Sequence, residues 1–287
     1  MNNLCRDISA FLENEGFANS VLNLDDIPLI STESARGDIR KILPVSILSR
    51  SEEEADAYST ALSECMKGMD GKLIIITEDR WNIQPEMMKA RLLAHLESFT
   101  PLYARNCEIR RIDKPMAATF LKKYHSYGDA TCRYRYGMFV KRHTGHLAAE
   151  GGTIAPGTLV AVAEFSNARR WQKGGQEIRS YEWTRYASLP DIRINGGMGK
   201  MLNHFIGEVH PDDIMSYADL EWSEGMVYEQ LGFTAEGMKS AVMFTIDDGW
   251  QRRPVREGED GCISESGHLY FRNFGSRKYR LKLTDYK

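Results

Sequence analysis

Cysteine is scarce in this 287-residue chain, and no Cys-x-x-Cys pair exists among Cys5, Cys65, Cys107, Cys132 and Cys262. An odd number of scattered thiols gives neither a disulfide framework nor a zinc knuckle, and points to a reducing cytoplasm. Long apolar runs are also missing: the longest, Leu73–Ile76 and Leu159–Ala163, fall far short of the ~20 residues that span a bilayer, so no membrane partner is expected. The start, MNNLCRDISAFLENEG, lacks a basic segment followed by an apolar core, so no secretory signal is read there. His-Glu-x-x-His, a Walker glycine–lysine loop and Gly-x-Ser-x-Gly are absent, which removes the commonest zinc-protease, nucleotide-hydrolase and serine-hydrolase signatures. A net charge of −3 argues against a surface that grips nucleic acid everywhere.

Ordinary soluble composition, 42% hydrophobic and 27% charged, is combined with uneven charge. Residues 1–60 hold eleven acidic against five basic side chains, residues 165–200 seven basic against three acidic, and residues 251–287 nine against five. The length suits one large or two modest domains. The first, about residues 1–105, reads as a small α/β unit. It has a helix and then a loop over 1–35, and a strand at Ile42–Leu48 that Pro44 marks as an edge. A helix follows from Ser51 to about Lys67, with Ser51 and Glu54 as a capping box and Gly68 and Gly71 closing it. A strand at Lys72–Thr77 and a helix at Glu86–Leu96 led by Pro85 complete the unit.

From Cys107 onward, residues 106–287 read as a second domain with the order β-α-β-β-β-α-β-α-β and a C-terminal β extension. The elements are Glu108–Ile112, a helix Pro115–Tyr124 with Met116, Phe120 and Leu121 inward, then strands Tyr134–Lys141 and Leu159–Asn167 joined by a glycine-rich loop. Ile178–Ser188 is the fourth strand, and Asn195-Gly-Gly-Met-Gly-Lys200 opens a helix. Strand Asp213–Leu220, a short helix Gly225–Leu231, and strands Ala241–Ile246 and Leu269–Phe274 follow. The fold class is therefore mixed α/β (α+β), a central mixed sheet with flanking helices.

A glycine turn leading a helix after the fourth strand, with Tyr228-Glu-Gln-Leu-Gly232-Phe233 after the fifth, resembles the GNAT family of N-acetyltransferases over roughly residues 105–250. Free amides at a helix start and the positive end of its macrodipole favour an anion, and glycines let phosphates approach the backbone. The resemblance implies acetyl-CoA or a related acyl-CoA as substrate, with its pyrophosphate at Gly196, Gly197, Met198, Gly199 and Lys200. The family pattern Gln/Arg-x-x-Gly-x-Gly/Ala is met only in part, because Arg193-Ile-Asn-Gly196-Gly197-Met198 ends on Met. Tyr228 corresponds to the tyrosine that protonates the departing thiolate. The other readings are a tight turn without a ligand and a tyrosine that packs a short helix.

Phe120-Leu-x-x-x-His125-x-x-Gly128, Arg135-Tyr-Gly-Met-Phe139, Leu159–Ser166 and Ser216-Tyr-Ala-Asp219-Leu-Glu-Trp222-Ser-x-Gly225 are similar to a narrower group. These are the GNAT-like domains beside phage and bacterial homing-endonuclease modules, with a distant similarity to Mom-type enzymes that modify adenine in DNA. The resemblance implies that His125 and Asp219 meet at the cleft and that the acceptor is a nucleobase or nucleic-acid-associated amine. Chemically the pair reads as a base relay, as two ligands of an incomplete metal site with Tyr217 or Glu221, or as a buried structural pair. The runs Cys132-Arg-Tyr-Arg-Tyr136 and Arg179–Tyr186 alternate arginine with aromatics, either to contact DNA or RNA or simply as one buried and one solvated face. His143, His146, His204, His210 and His268 stand alone in loops or on helices and read as surface or packed residues. Ile74–Trp81 with Pro85–Leu92 resembles the last strand and helix of very-short-patch-repair nuclease modules. Residues 30–72 offer Asp38, the Glu52–Glu54 run and Asp56, with the glutamates at a helix start, but no histidine, so the N-terminal unit reads as a nuclease-like remnant or docking domain. The alternative to an enzyme is a GNAT-shaped binding module with a degenerate coenzyme site.

Overall fold

The computed structural model describes every residue except 1–2, 25, 68, 70–72, 142–153, 224, 256–267 and 287. Gly68, Gly71, Lys72, His143, His146, Cys262 and most of the glycine-rich loop lie outside the described residues. By its internal contacts the chain divides into two compact units. Unit 1 comprises Met1–Ser98, Asp219–Glu224 and Met238–Ser276; unit 2 comprises Phe99–Ala218, Gly225–Gly237 and Arg277–Lys287. The sequence reading divides the chain once, near residue 105; the structure returns residues 219–224 and 238–276 to the first unit.

Unit 1 opens with α1 (Asn3–Asn14), β1 (Asn19–Leu24), β2 (Ile27–Glu33), β3 (Ile39–Val45), α2 (Glu52–Lys67), β4 (Leu73–Thr77), α3 (Glu78–Ile83) and α4 (Pro85–His95). Its four-stranded sheet has the order β1-β2-β3-β4, with only β3 and β4 parallel. Leu4, Ile8 and Leu12 of α1 and Met88 and Leu92 of α4 cover one face, against Ile30, Ile42, Ile74 and Ile76. The other face, Leu29, Leu43, Val45 and Ile75, packs with Leu62 of α2. Residues 15–35, expected as a loop, contain the β1–β2 hairpin, whose largely exposed first strand sets Val21 beside Leu22 and so breaks the alternation. Pro44 is not on an edge strand. Its β3 pairs with β2 only up to Ile42, so at Pro44 the strand has β4 alone as partner and the missing N–H costs no ladder bond on the other side. The cap of α2 is as read: Ser51 Oγ accepts from Glu54 N at 3.2 Å, although Glu54 Oε2 reaches back to Arg50 N at 2.7 Å.

Unit 2 holds β5 (Thr100–Tyr103), β6 (Cys107–Arg111), α5 (Lys114–Tyr124), β7 (Tyr134–Val140), β8 (Leu159–Phe165), β9 (Arg169–Lys173) and β10 (Gln176–Ser188). Then come β11 (Ile192–Asn195), α6 (Gly197–Val209), β12 (Asp213–Asp219), α7 (Met226–Gln230) and β13 (Thr234–Lys239). The chain re-enters unit 1 for β14 (Met243–Ile246), β15 (Arg252–Pro254) and β16 (Leu269–Arg272), and ends with β17 (Ser276–Lys282). In unit 1 the three-stranded sheet β15-β14-β16 adds Ile246 and Phe271 to the core beneath α2.

The large sheet has the order β13-β17-β12-β10-β8-β7-β6, with β9 paired to β10. It is mixed: β10 runs parallel to β12 and antiparallel to β8. Helices flank both faces. Met201, Leu202 and Phe205 of α6 pack on Ala161, Ala163 and Phe165, while Ala117, Phe120 and Leu121 of α5 pack on Val162 and Ala187. A strand buried on both faces explains the unbroken apolar run of β8. This is the mixed α/β arrangement, central sheet with flanking helices, expected of a GNAT-like domain. Two details differ from expectation. Met116 is exposed, since α5 turns Ala117, Phe120 and Leu121 inward instead. The strand β9, too charged to read as one, forms a hairpin with β10 through Gly174 and Gly175, both at positive φ.

Candidate active site

The neighbouring strands β10 and β12 pair for three residues only, Ser180↔Asp213, Tyr181↔Ile214 and Glu182↔Met215. Beyond Glu182 they part: β10 continues along β8 to Ser188, and β12 continues to Asp219. At the point of divergence Ser216 Oγ donates to the Trp183 carbonyl at 2.9 Å and lies 2.9 Å from the Tyr228 hydroxyl. A serine has one hydroxyl hydrogen, so with it directed at the carbonyl the phenol of Tyr228 donates to Ser216. One residue further, the β8–β10 register slips, Trp183 facing Phe165 and Arg185 facing Glu164, which leaves Thr184 as a bulge.

The Tyr-x-x-x-Gly-Phe motif that carries Tyr228 has a local explanation. Gly232 ends α7 at φ +87°, Phe233 N donates to the Tyr228 carbonyl at 2.9 Å, and Gly232 N donates to Glu229 at 3.0 Å. With the Tyr228 and Phe233 rings 5.5 Å apart, this is a Schellman cap with its hydrophobic contact. At the other end Gly225 sits at φ +85°, and a Cβ there would lie 2.4 Å from the Tyr279 ring. Tyr279 stacks on Tyr228 at 5.2 Å, and Trp183 meets it edge-on at 6.3 Å. Burial pushes the Tyr228 phenol above its ordinary pKa, with Ser216 opposing, so the group stays protonated at neutral pH.

The glycine cluster forms the start of α6. Gly196 is the N-cap at φ +74°, and no side chain caps the helix, so the first-turn amides lack a side-chain acceptor. Such amides suit a phosphate. The glycines themselves answer to packing: a Cβ on Gly197 would lie 2.8 Å from Ile194 Cγ2, and one on Gly199 3.3 Å from Leu231. Met198 packs against the core. The ammonium of Lys200 donates to the carbonyls of Ala104 at 2.9 Å and Cys107 at 2.5 Å, so it ties α6 to the turn before β6.

The remaining candidates are held by their own turns. His125 is the C-cap of α5, and its Nδ1 accepts from Tyr127 N at 3.1 Å, so the neutral ring carries its proton on Nε2. Asp219, the last residue of β12, clusters with unit 1, whereas His125 belongs to unit 2. Its Oδ1 accepts from Glu221 N at 3.0 Å. Among the described residues no group of three or more His, Cys, Asp or Glu is placed to hold a metal ion. Glu221, the suggested extra ligand, instead pairs with Arg80 at 3.4 Å and Arg252 at 2.8 Å inside unit 1.

Sequence reasoning missed a buried acid in unit 2. Glu164 of β8 is fully buried, faces Arg135 at 2.9 Å and accepts from Ala130 N at 3.2 Å. Burial, with Asp129 bonded beside it, raises its carboxyl to about pH 7, against the opposing charge of Arg135. Asp129 and Glu164 are 35 positions apart, and only the β7–β8 pairing and the turn before it join them. The aromatic runs also differ from one expectation: Tyr136, Tyr181 and Trp183 are buried around Phe205 and Phe165, so they fill the core and offer no face for a base. In unit 1, Asp38 pairs with Arg40, Glu54 caps a helix and Asp56 pairs with Arg272, so these acids have separate structural partners.

No protein-family model and no curated protein matches the sequence. Solved structures with partial likeness include yncA, a putative acetyltransferase from Salmonella typhimurium with acetyl-CoA (13% identity, 63% of this chain and 96% of that one, TM-score 0.36). Others are an N-acetyltransferase from Staphylococcus aureus (9%, 62% and 99%, 0.34) and a GNAT-family acetyltransferase from Bacillus anthracis (14%, 62% and 95%, 0.31). No helix among the described residues is long and apolar enough to cross a membrane.

Proposed function

We propose that unit 2 is an acyl-CoA-dependent N-acyltransferase. The observation that carries the reading is the protonated, partly buried Tyr228 hydroxyl at the point where β10 and β12 part, hydrogen-bonded through Ser216 to the Trp183 carbonyl. A gap between diverging strands exposes backbone edges to an extended ligand, and the uncapped amides of α6 offer its phosphates a seat. The acceptor nitrogen attacks the thioester carbonyl, the C–S bond breaks, and Tyr228 gives its proton to the sulfur while a base takes one from the nitrogen. His125, and Asp219 at the end of β12, are the bases to test singly. Most of the acceleration would come from holding amine and thioester in line, an effect of about 7–11 kcal/mol at best.

The acceptor is an amine, with nucleobase and nucleic-acid-associated amines as the narrower class to screen. One observation favours a second reading, a non-catalytic binding module: Lys200 is engaged by two carbonyls and Met198 stands where a small residue suits the phosphate turn. The test is transfer of label from radioactive acetyl-CoA to a panel of polyamines, lysine peptides and adenine-containing oligonucleotides. Labelled product with release of free thiol supports the enzyme. No transfer to any acceptor, and no thiol release above the uncatalysed rate, refutes it.

A further inference from the structure

A second concave site lies on unit 2 at the other end of α6. A cavity of about 350 Å³ is lined by Arg111, Arg133, Arg170 and Arg179 with Tyr134 and Tyr181, and its one acidic lining residue is Glu208. The arginines come from four places in the fold: the end of β6, the residue before β7, β9 and the first half of β10. Convergence of four guanidinium groups needs a compensating anion, and the carboxylates present are only partial partners. Arg111 bonds Glu208, Arg170 bonds Glu177 at 2.6 Å, and Arg179 stands 3.6 Å from Asp212 while also meeting the His210 carbonyl. The side chains of these arginines are 53%, 64% and 38% exposed. Ion pairs in that setting contribute about 0–1 kcal/mol, little enough for a better anion to displace them. Arg133 has the Tyr134 ring at 5.7 Å and no carboxylate partner among the described residues.

We infer that this cavity binds a small molecule carrying two linked phosphoryl groups. The lining charge, four guanidinium groups against one carboxylate, matches an anion of about three charges better than a single carboxylate ligand. Arginine forks pair bidentately with phosphate oxygens. The volume falls in the range of small-ligand sites. Tyr181 is buried and its ring packs on Phe205, as does that of Tyr134, so the aromatics supply hydroxyl groups rather than an open stacking face. That disfavours recognition of a base. The thirteen residues of α6 put the cavity roughly 20 Å from the glycine-led end, so the inference is independent of the acyltransferase reading.

The test is calorimetric titration of the full chain with sodium pyrophosphate in phosphate-free, low-salt buffer, alongside orthophosphate and an unphosphorylated single-stranded oligonucleotide. Expected are one pyrophosphate per chain, at least tenfold tighter than orthophosphate, a tenfold loss in Arg133→Gln and a hundredfold loss in Arg133→Gln/Arg170→Gln. Circular dichroism melts of both variants should match the parent, since these side chains lie at the surface. No pyrophosphate binding overturns the inference. So does equal affinity in the arginine variants, which would move the anion elsewhere. Tighter oligonucleotide binding that pyrophosphate cannot displace would assign the arginines to nucleic acid instead.

Discussion

Replacing Tyr228 by Phe removes one oxygen and leaves the ring that packs between Tyr279, Trp183 and Phe233. The lost hydrogen bond to Ser216 is worth about 0.5–1.5 kcal/mol, so the variant should fold and melt only a few degrees lower. Ser216 keeps its bond to the Trp183 carbonyl, which holds the strands where they part. Catalysis should suffer far more. A positioned proton donor is worth about 10²–10⁴ in rate, or about 3–5 kcal/mol, and without it the thiolate must leave unprotonated. The assay is free-thiol release from acetyl-CoA at saturating acceptor, with binding of acetyl-CoA measured separately. The expectation is a fall of at least a hundredfold in kcat with acetyl-CoA affinity within about threefold. The pH profile adds a second readout: because burial raises this phenol, the alkaline limb that belongs to it lies above pH 10. If Tyr228→Phe turns over within threefold of the parent, the tyrosine is a packing residue and the proposed chemistry is wrong.

Gly225→Ala should destabilise unit 2 by about 3 kcal/mol, because the residue sits at φ +85° and the new Cβ would lie 2.4 Å from Tyr279; urea unfolding reads this directly. Arg252→Ala leaves Asp79 and Glu221 buried without their bidentate partner, and should cost unit 1 about 3–5 kcal/mol, visible as earlier proteolysis of residues 219–276. The raised carboxyl of Glu164 sets a pH dependence of the opposite sense to an ordinary ion pair. Between the unfolded value of 4.5 and the folded value of about 7 the native state binds the extra proton, so the stabilisation is full below pH 4.5 and lost as pH rises through 7. The span is on the order of 3 kcal/mol, and Glu164→Gln should flatten it; an unchanged slope of stability against pH in that variant would refute the assignment.

What the sequence displayed and what it hid follow from where the stabilising contacts lie. Segments whose signal is local were legible: the capped α2, the proline-led α4 and α5, and the doubly buried β4 and β8. The Tyr228 motif was legible for the same reason, since a Schellman cap is written in six consecutive residues. The β1–β2 hairpin and β9 were not, because both strands are largely exposed: β1 sets Val21 beside Leu22, which breaks the alternation, and β9 is mostly charged. The two returns of the chain to unit 1 left no mark either. Residues 219–224 and 252 belong there through buried pairs such as Arg252 with Asp79 and Arg91 with the Trp222 carbonyl, contacts that span 131 to 173 positions. Of the arginine cavity, Arg133 and Arg179 fell in the alternating runs noted in the sequence, while Arg111 and Arg170 arrive only when β6 and β9 take their places. Ser216 lay inside a quoted motif, yet its role depends on the divergence of β10 and β12, a property of two strands rather than of either.

In the proposed function the α6 amides and the parted strands together receive an acyl-CoA. Calorimetric titration of the full chain with acetyl-CoA tests it without any choice of acceptor. The expected result is saturable binding of one acetyl-CoA per chain with a dissociation constant of micromolar order, before and after chelation of metals. Absence of binding in both preparations would contradict it, return Gly196–Lys200 and Tyr228 to purely structural roles, and leave the binding module as the function of unit 2.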